Sequence, residues 1–320
     1  MKKILITGSA GFIGFSLAKD LLKKGYKIFG YDSLNKYYDV KLKLSRNKIL
    51  KKFKNYTFVK GDIEDQKKLN KHALKFKPSI IIHLAAQAGV RYSLEVPRKY
   101  ISSNIVGTFN IIELAHKLKT KHLLIASSSS VYGSNKSKSF KETDKTDTQM
   151  SIYAATKKST ESIAHSYSSL WKLPITMLRF FTVYGPWGRP DMAYYLFVDA
   201  IFRNKPIKVF NNGFMERDFT YIDDIVLGIK AAIKKNHNLK IYNLGNNRSE
   251  RLLDVVSIIE KRIGKKANIK LEPMQLGDVE NTFADIDMAR RELGFNPSYN
   301  IGEGIEKFID WYFMYNEIPR

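Results

Sequence analysis

The feature that most limits what this chain can become is a short apolar run, Lys3–Thr7, that ends in a glycine-spaced loop, Gly8-Ser9-Ala10-Gly11-Phe12-Ile13-Gly14. Glycines at this spacing allow a tight strand-to-helix turn, a close approach of backbone to an anion, and close packing of helix on strand. The helix that follows would point its free N–H groups at a phosphate. The spacing is G-x-x-G-x-x-G, not G-x-G-x-x-G, and an ordinary strand–helix turn can carry the same glycines.

The context favours a dinucleotide site. Asp32 ends a second apolar run about 20 residues on, where a carboxylate can accept both hydroxyls of a ribose. A carboxylate there also repels a 2′-phosphate, which favours NAD over NADP. Asp62 and Ile63 follow the third run and can flank an adenine. Leu84, Ala85 and Ala86 follow the fourth and offer small side chains beside a cofactor.

Strands are expected at Lys3–Thr7, Lys27–Tyr31, Tyr56–Lys60, Ile80–Leu84, His122–Ser127 and Ile175–Phe180. Helices are expected between them, at Phe12–Lys24, Gln66–Lys75, Asn104–Lys117 and Tyr153–Leu170. This alternation predicts an α/β fold, a doubly wound, Rossmann-type parallel sheet. The rhythm breaks after about residue 180, where Pro186, Gly188 and Pro190 mark a loop. Helices at Met192–Arg203, Ile222–Lys235, Leu252–Ile263 and Ile301–Tyr315, with short strands at Ile207–Phe210 and Ile241–Leu244, predict a smaller C-terminal α/β lobe. The expected division is 1–180 for the NAD-binding domain and 181–320 for the substrate lobe. No linker separates them, and their segments can interleave.

Composition closes off several alternatives. The chain has 320 residues and no cysteine, which excludes disulfides, thiolate metal sites and a cysteine nucleophile. No His/Asp/Glu spacing suggests a metal site. No apolar run reaches the roughly 18–20 residues needed to span a bilayer, so no membrane partner is expected. A cytoplasmic setting fits. The net charge is +23, which raises nucleic-acid binding as an alternative. Lysine outnumbers arginine about threefold and its clusters are short and scattered. That pattern reads as solvated helix faces, and no nucleic-acid partner is expected.

Tyr153 and Lys157 form Y-x-x-x-K on one face of an expected helix. A nearby ammonium and a positive nicotinamide would lower the tyrosine pKa and make it a usable base. An amphipathic helix can carry both residues without any chemical role. Ser127-Ser128-Ser129-Ser130 ends a strand before Val131-Tyr132-Gly133; it is either a serine-rich turn or a set of hydroxyls aimed into a site. Ser128 is the expected catalytic hydroxyl, with Ser129 and Ser130 holding substrate. His83 reads as a satisfied core histidine.

Together the glycine loop, the serine run and Tyr153…Lys157 resemble the extended short-chain dehydrogenases/reductases. Four segments resemble UDP-glucuronate 4-epimerases in particular: residues 85–93 (AAQAGVRYS), 153–158 (YAATKK), 179–192 (RFFTVYGPWGRPDM) and 217–224 (RDFTYIDD). The likeness runs from residue 1 to about 315. It implies a homodimer, NAD as cofactor and a UDP-sugar as substrate. It also implies that Gly8, Gly11, Phe12, Ile13, Gly14, Asp32, Asp62, Ile63, Tyr153 and Lys157 touch NAD. Arg217 would pair with the substrate diphosphate and Asp278 would accept a uridine ribose hydroxyl. Arg91 joins the substrate residues, although it could instead cap a helix. Arg217 could instead pair with Asp218 or Asp223. Thr182 and Arg189 lie on the loop expected to meet the sugar carboxylate.

The expected reaction is epimerisation at C4 by transient oxidation, most closely UDP-glucuronate to UDP-galacturonate. A 4-epimerase of a neutral UDP-sugar and a UDP-uronate decarboxylase are the alternatives within the class. Relatives that dehydrate or decarboxylate carry an acidic residue in the serine stretch, and this chain has Ser129 and Ser130 there. A non-catalytic NAD- or nucleic-acid-binding protein is the alternative from another class.

Overall fold

The structure is a computed structural model and describes residues 2–318. Met1, Pro319 and Arg320, at the outer ends of the two expected lobes, lie outside the described residues. Six strands of the first part, β1 (Lys3–Thr7), β2 (Lys27–Asp32), β3 (Tyr56–Lys60), β4 (Ile80–His83), β5 (His122–Ser128) and β6 (Ile175–Phe180), form one parallel sheet. A seventh strand, Leu239–Leu244, adds beside β6, so the order is Leu239–Leu244, β6, β5, β4, β1, β2, β3. The sheet is the expected doubly wound Rossmann type. Its central strands are apolar on both faces because both faces are covered: Ile80, Ile81 and Ile82 are all buried.

The strand order reverses direction between β1 and β4. Crossovers leave on opposite faces at such a point, and a crevice opens beyond the carboxyl ends of the strands. The glycine loop after β1 and the loops after β4 and β5 all empty into it.

The helix α1 (Phe12–Lys23) follows the glycine loop. The helix α2 (Val40–Leu50) was not expected from the sequence. Its inward-facing residues are Leu42, Lys43, Arg46, Asn47 and Leu50, so three of the five are polar and it carries no apolar periodicity. The expected helix Asn104–Lys117 is part of a longer helical run. Pro97–Tyr100 leads into a π-wound turn, Ile101–Val106, and then into Gly107–Lys117.

Beyond residue 180 the chain crosses back. The strand Leu239–Leu244 completes the first part's sheet. The helix Ile222–Lys234 packs on α1. The remaining elements build the smaller lobe around three two-stranded pairings: Thr182–Tyr184 with Phe219–Tyr221, Glu216–Arg217 with Glu250–Arg251, and Pro206–Val209 with Asn268–Leu271. The short strands Thr182–Tyr184 and Phe219–Tyr221 were not anticipated; three residues give too few alternations to register as a pattern. The core is continuous across both parts, which seats the smaller lobe directly over the crevice.

Candidate active site

The glycine loop is held shut by its own backbone. Gly8 N–H donates to Tyr31 O at 2.8 Å, and Gly11 N–H donates to Gly8 O at 2.9 Å. A Cβ on Gly14 would lie 2.1 Å from Gly8 O, and one on Gly8, whose φ is +70°, 2.7 Å from Ala85 N. Only hydrogen fits at these two positions. The close approach brings the N-terminus of α1 to the end of β1, where it can face a phosphate.

Asp32 sits at the end of β2, nearly buried. Its Oδ2 accepts from Ala10 N–H at 3.0 Å and its Oδ1 from Leu34 N–H at 2.8 Å. Burial pushes its carboxyl pKa up; the two amides, Lys43 and Arg46 oppose that. Lys43 donates to Asn35 O at 2.7 Å and to Asn35 Oδ1 at 2.6 Å, with its ammonium 4.2 Å from the centre of the Tyr38 ring. Burial lowers it to about 8, against the pull of Asp32.

All the expected cofactor residues line one cleft: Gly8, Gly11, Phe12, Ile13, Gly14, Asp32, Asp62, Ile63, Leu84, Ala85, Ala86, Tyr153 and Lys157. Its inner volume is about 240 Å³. The glycine cradle, the helix terminus and the ribose-facing carboxylate suit an extended dinucleotide.

Ser128, Tyr153 and Lys157 meet at the inner end of this cleft. Ser151 caps the helix Ile152–Trp171, its Oγ accepting from Ala154 N–H at 3.1 Å. That cap fixes the first turn, which carries Tyr153. Lys157 Nζ donates to Ala126 O at 2.8 Å. Burial lowers the Lys157 pKa to about 8, and Glu161 opposes it. Burial also raises the Tyr153 phenol above its ordinary value; a hydrogen bond with Ser128 and the charge of Arg189 pull the other way. The expected counterweight was the Lys157 ammonium, but its hydrogen bond goes to a backbone carbonyl.

A second cavity of about 700 Å³ opens alongside, lined by Arg91, Thr182, Arg189, Arg217 and Asp278. The two cavities share Tyr37, Arg189 and Met192. Arg217 pairs with neither Asp218 nor Asp223. It donates to Asp278 Oδ1 at 2.9 Å and to the carbonyls of Glu216, Val279 and Glu280 at 2.8, 2.7 and 2.7 Å. Asp218 is buried against Asn246 N–H and Ala284 N–H, with its pKa raised to about 6 by desolvation. The Arg91 side chain makes no cap bond to the short helix Tyr92–Glu95. Its guanidinium lies 4.4 Å from the centre of the Phe210 ring and 3.9 Å from Asp278 Oδ2.

Arg189 is closed on Asp191. Its Nε donates to Asp191 Oδ1 at 3.1 Å, a second arm donates to Oδ2, and Tyr37 O–H reaches the same oxygen at 2.9 Å. Ser129 and Ser130 line neither cavity. The chain turns at Ser128 into a 3₁₀ segment, Ser129–Tyr132, and Ser130 N–H donates back to Ser128 Oγ at 3.2 Å. His83 is a core histidine, bonded to Thr7 Oγ1 at 2.7 Å and Thr108 Oγ1 at 3.0 Å and held neutral by burial, its pKa lowered to about 3. Among the described residues no cluster could hold a metal ion.

Sequence reasoning missed Arg46. It is fully buried and joins the two loops that frame the site. It donates to Ala10 O of the glycine loop at 3.0 Å, to Tyr38 O–H at 2.8 Å, to Gly188 O at 3.0 Å and to Trp187 O. No local signal marks it: it is one basic residue in a lysine-rich stretch.

Residues 5–308 match the model of the GDP-mannose 4,6 dehydratase family. The chain is 45% identical to a probable UDP-glucuronate 4-epimerase of Rhizobium meliloti, covering 97% of this chain and 96% of the relative. It is 48% identical to protein CapI of Staphylococcus aureus over 98% of this chain and 99% of that one. The crystal structure of UDP-glucuronic acid 4-epimerase from Bacillus cereus, in complex with UDP-glucuronic acid and NAD, superposes with a TM-score of 0.93 at 34% identity, over 98% of this chain and 99% of that one.

Removing the Arg46 guanidinium would strand three buried carbonyls, each costing about 1–3 kcal/mol when left unpaired. Arg46→Met is therefore expected to lower unfolding free energy by about 3 kcal/mol and to weaken dinucleotide binding. Urea unfolding and a binding titration measure the two. A variant with unchanged stability and affinity would show that the tether carries no strain between the loops.

Proposed function

The chain belongs to the GDP-mannose 4,6 dehydratase family, within the extended short-chain dehydrogenases/reductases, and from that premise we propose that it is an NAD-dependent UDP-glucuronate 4-epimerase. The observation that carries the reading is the junction of the two cavities. A dinucleotide cleft ending in Ser128, Tyr153 and Lys157 opens beside a nucleotide-sugar cavity ringed by Arg91, Arg217 and Asp278.

The glycine loop and Asp32 would hold NAD, which would supply a hydride acceptor and donor for C4 of the sugar. Tyr153 takes the proton of the C4 hydroxyl and later gives it back. Ser128, beside Tyr153 in the same cleft, steadies the same oxygen. Lys157, fixed on Ala126 O, keeps a positive charge beneath the pair. Arg217 and Arg91 hold the diphosphate end while the 4-keto sugar turns, so remote binding energy positions the reacting end. Asp278 receives a ribose hydroxyl of the uridine.

The 4-keto uronate is a β-keto acid and loses CO₂ when its carboxylate lies out of the carbonyl plane. Suppressing that loss needs a grip on the carboxylate. Ser129 and Ser130 do not line the second cavity, Ser130 Oγ is taken up by Ser128 Oγ at 3.2 Å, and Arg189 is held by Asp191. That leaves Thr182, on the wall of the second cavity, as the hydroxyl to hold it. A neutral sugar would leave that donor unmatched, and a site built for hydrogen bonding discriminates strongly against such analogues.

A homodimer is part of the same reading. Ile101, Val106 and Phe109 on one helical run, and Leu170 and Trp171 at the end of the helix Ile152–Trp171, leave an apolar face exposed. These two helices pack side by side, so the face is continuous enough to seat a second copy. A cytosolic setting is compatible with the cysteine-free sequence.

Tyr153→Phe is expected to reduce kcat at least about 10²-fold, the usual worth of a positioned acid–base group, with little change in UDP-sugar affinity. Product analysis and isothermal titration separate the two, and retention of most of the kcat would remove Tyr153 from the proton transfer.

UDP-glucuronate is expected to give UDP-galacturonate, with little UDP-pentose and with UDP-glucose and UDP-N-acetylglucosamine turned over poorly. Thr182→Val should lower kcat/KM for the uronate about 10–100-fold, the worth of a hydrogen bond to a charged group, and leave the neutral sugars nearly unaffected. Equal losses on all three substrates would sink the uronate assignment and leave the epimerase standing.

Phe109→Glu combined with Trp171→Glu should convert a dimer into a monomer in sedimentation velocity. A monomeric parent protein would contradict the assembly.

A further inference from the structure

Behind the catalytic residues lies a buried ion pair that the chemistry above does not use. Glu161 stands one turn after Lys157 on the helix Ile152–Trp171. It is bidentate with Arg179 of β6, both bonds at 2.9 Å, and both side chains are under 5% exposed. Its Oε1 also accepts from Ser127 Oγ at 2.6 Å. In the sheet, Ser127 is the direct register partner of Arg179. One helical turn earlier, Lys157 Nζ donates to Ala126 O. The two bonds therefore clamp consecutive residues, Ala126 and Ser127, onto one helix face, and Ser128 is the next residue of the strand.

The pair is also anchored away from the site. The Arg179 guanidinium lies 4.8 Å from the centre of the Tyr132 ring, whose O–H donates to Asn243 Oδ1 at 2.7 Å. A buried ion pair contributes little stability compared with apolar groups of the same shape, so its stabilising effect alone is a weak reason for its presence. We propose that Glu161, oriented by Arg179, is a positioning residue for the catalytic centre: through Ser127 it holds the Ser128 strand end against the helix that carries Tyr153, and it sets a carboxylate one turn from Lys157. This rests on the epimerase reading for its kinetic consequence but not for its titration.

The charges around Lys157 support the assignment. Glu161 supplies the opposing anion, raising a lysine that burial pulls down to about 8. His83 reaches toward it from β4 and is held neutral. Tyr153, on the same helix, has its phenol raised by burial and is a neutral neighbour near pH 7. Arg179 lies beyond Glu161 and is matched by it. Glu142, on the far side of Arg179, is engaged by Asn243 N–H. Removing the Glu161 charge removes the upward pull, so the protonated form of Lys157 is lost at a lower pH.

The test is made on the protein as purified, with its lysines labelled at the ε-carbon and the Lys157 resonance identified by its absence in Lys157→Met. In Glu161→Gln, the Lys157 titration midpoint should fall by about one pH unit. The alkaline limb of the kcat profile should fall with it, while KM for the UDP-sugar stays within about twofold. Glu161→Gln leaves Arg179 unmatched, so Glu161→Gln combined with Arg179→Met is the second variant. It removes both charges, is expected to fold, and should still lower the midpoint. Glu161→Asp restores the charge and should return the midpoint toward that of the unaltered protein. Folded variants whose Lys157 titration and pH profile do not move, whatever their loss of thermal stability, would reduce the pair to a structural element. A shifted Lys157 titration in a protein that turns over no UDP-sugar would leave this proposal standing and overturn the epimerase reading.

Discussion

Moving a guanidinium, ammonium or carboxylate out of water costs several kcal/mol unless a partner meets it inside, and the architecture of this site follows from that constraint. Arg46 is fully buried, so it must find acceptors, and the carbonyls of Ala10, Trp187 and Gly188 are where it finds them. Those acceptors belong to the glycine loop and to the loop that leads to Arg189. Satisfying one cation thus fixes the distance between the cofactor cleft and the sugar cavity. The same rule binds Lys43 to Asn35 beside Asp32, and Glu161 to Arg179 behind Lys157. The polar side of the site is a set of buried charges, met by carbonyls, an amide or an opposite charge, between elements that the sheet alone would leave independent.

The sheet was legible in the sequence because its strands obey the hydrophobic effect without competition. Residues such as Ile80–Ile82 and His122–Ile125 are buried on both faces, and an unbroken apolar run is the only pattern that serves. The glycine loop was legible for a steric reason: at Gly14 the neighbouring carbonyl leaves no room for a Cβ. The helix α2 was hidden because it buries Lys43, Arg46 and Asn47, and a polar inner face erases the periodicity by which a helix is read. Function and illegibility have the same origin here: the residues that break the pattern are the ones that hold the site together.

Pairings across long sequence separations were the other gap. Arg217 finds Asp278, 61 residues away, because the short strand Glu216–Arg217 and the segment around Asp278 are brought together in the smaller lobe. Arg189 and Asp191 are only two residues apart, and Tyr37 joins their pair from the loop after β2. The serine run divides where the strand ends at Ser128 and a 3₁₀ turn, Ser129–Tyr132, begins, and Ser130 Oγ stays within 3.2 Å of Ser128 Oγ. Side-chain direction there is set by the winding of the turn, which composition does not encode.

These placements bear on why oxidation at C4 would lead to epimerisation and not elimination in a family whose model bears a dehydratase's description. Elimination across C5 and C6 requires a hydroxyl at C6, which a uronate lacks, and on a neutral sugar also a group that can remove one proton and deliver another near neutral pH. The carboxylate that the structure brings to the serine stretch is Glu161, and it is unsuited to that work. It accepts from Ser127 and receives both arms of Arg179. Protonating it would leave a buried guanidinium unmatched, which is strongly unfavourable. Ser127 Oγ stands between it and the cleft only as a donor to that carboxylate. Of the serine run, Ser127 and Ser128 line the cleft, with Ser130 Oγ bonded to Ser128 Oγ, and a serine hydroxyl can share a proton with Tyr153 but is too weak an acid and base to drive loss of a leaving group. A 4-keto uronate whose carboxylate is held in the carbonyl plane then has the return of hydride as its exit, and the stereochemistry is decided by which face the sugar presents.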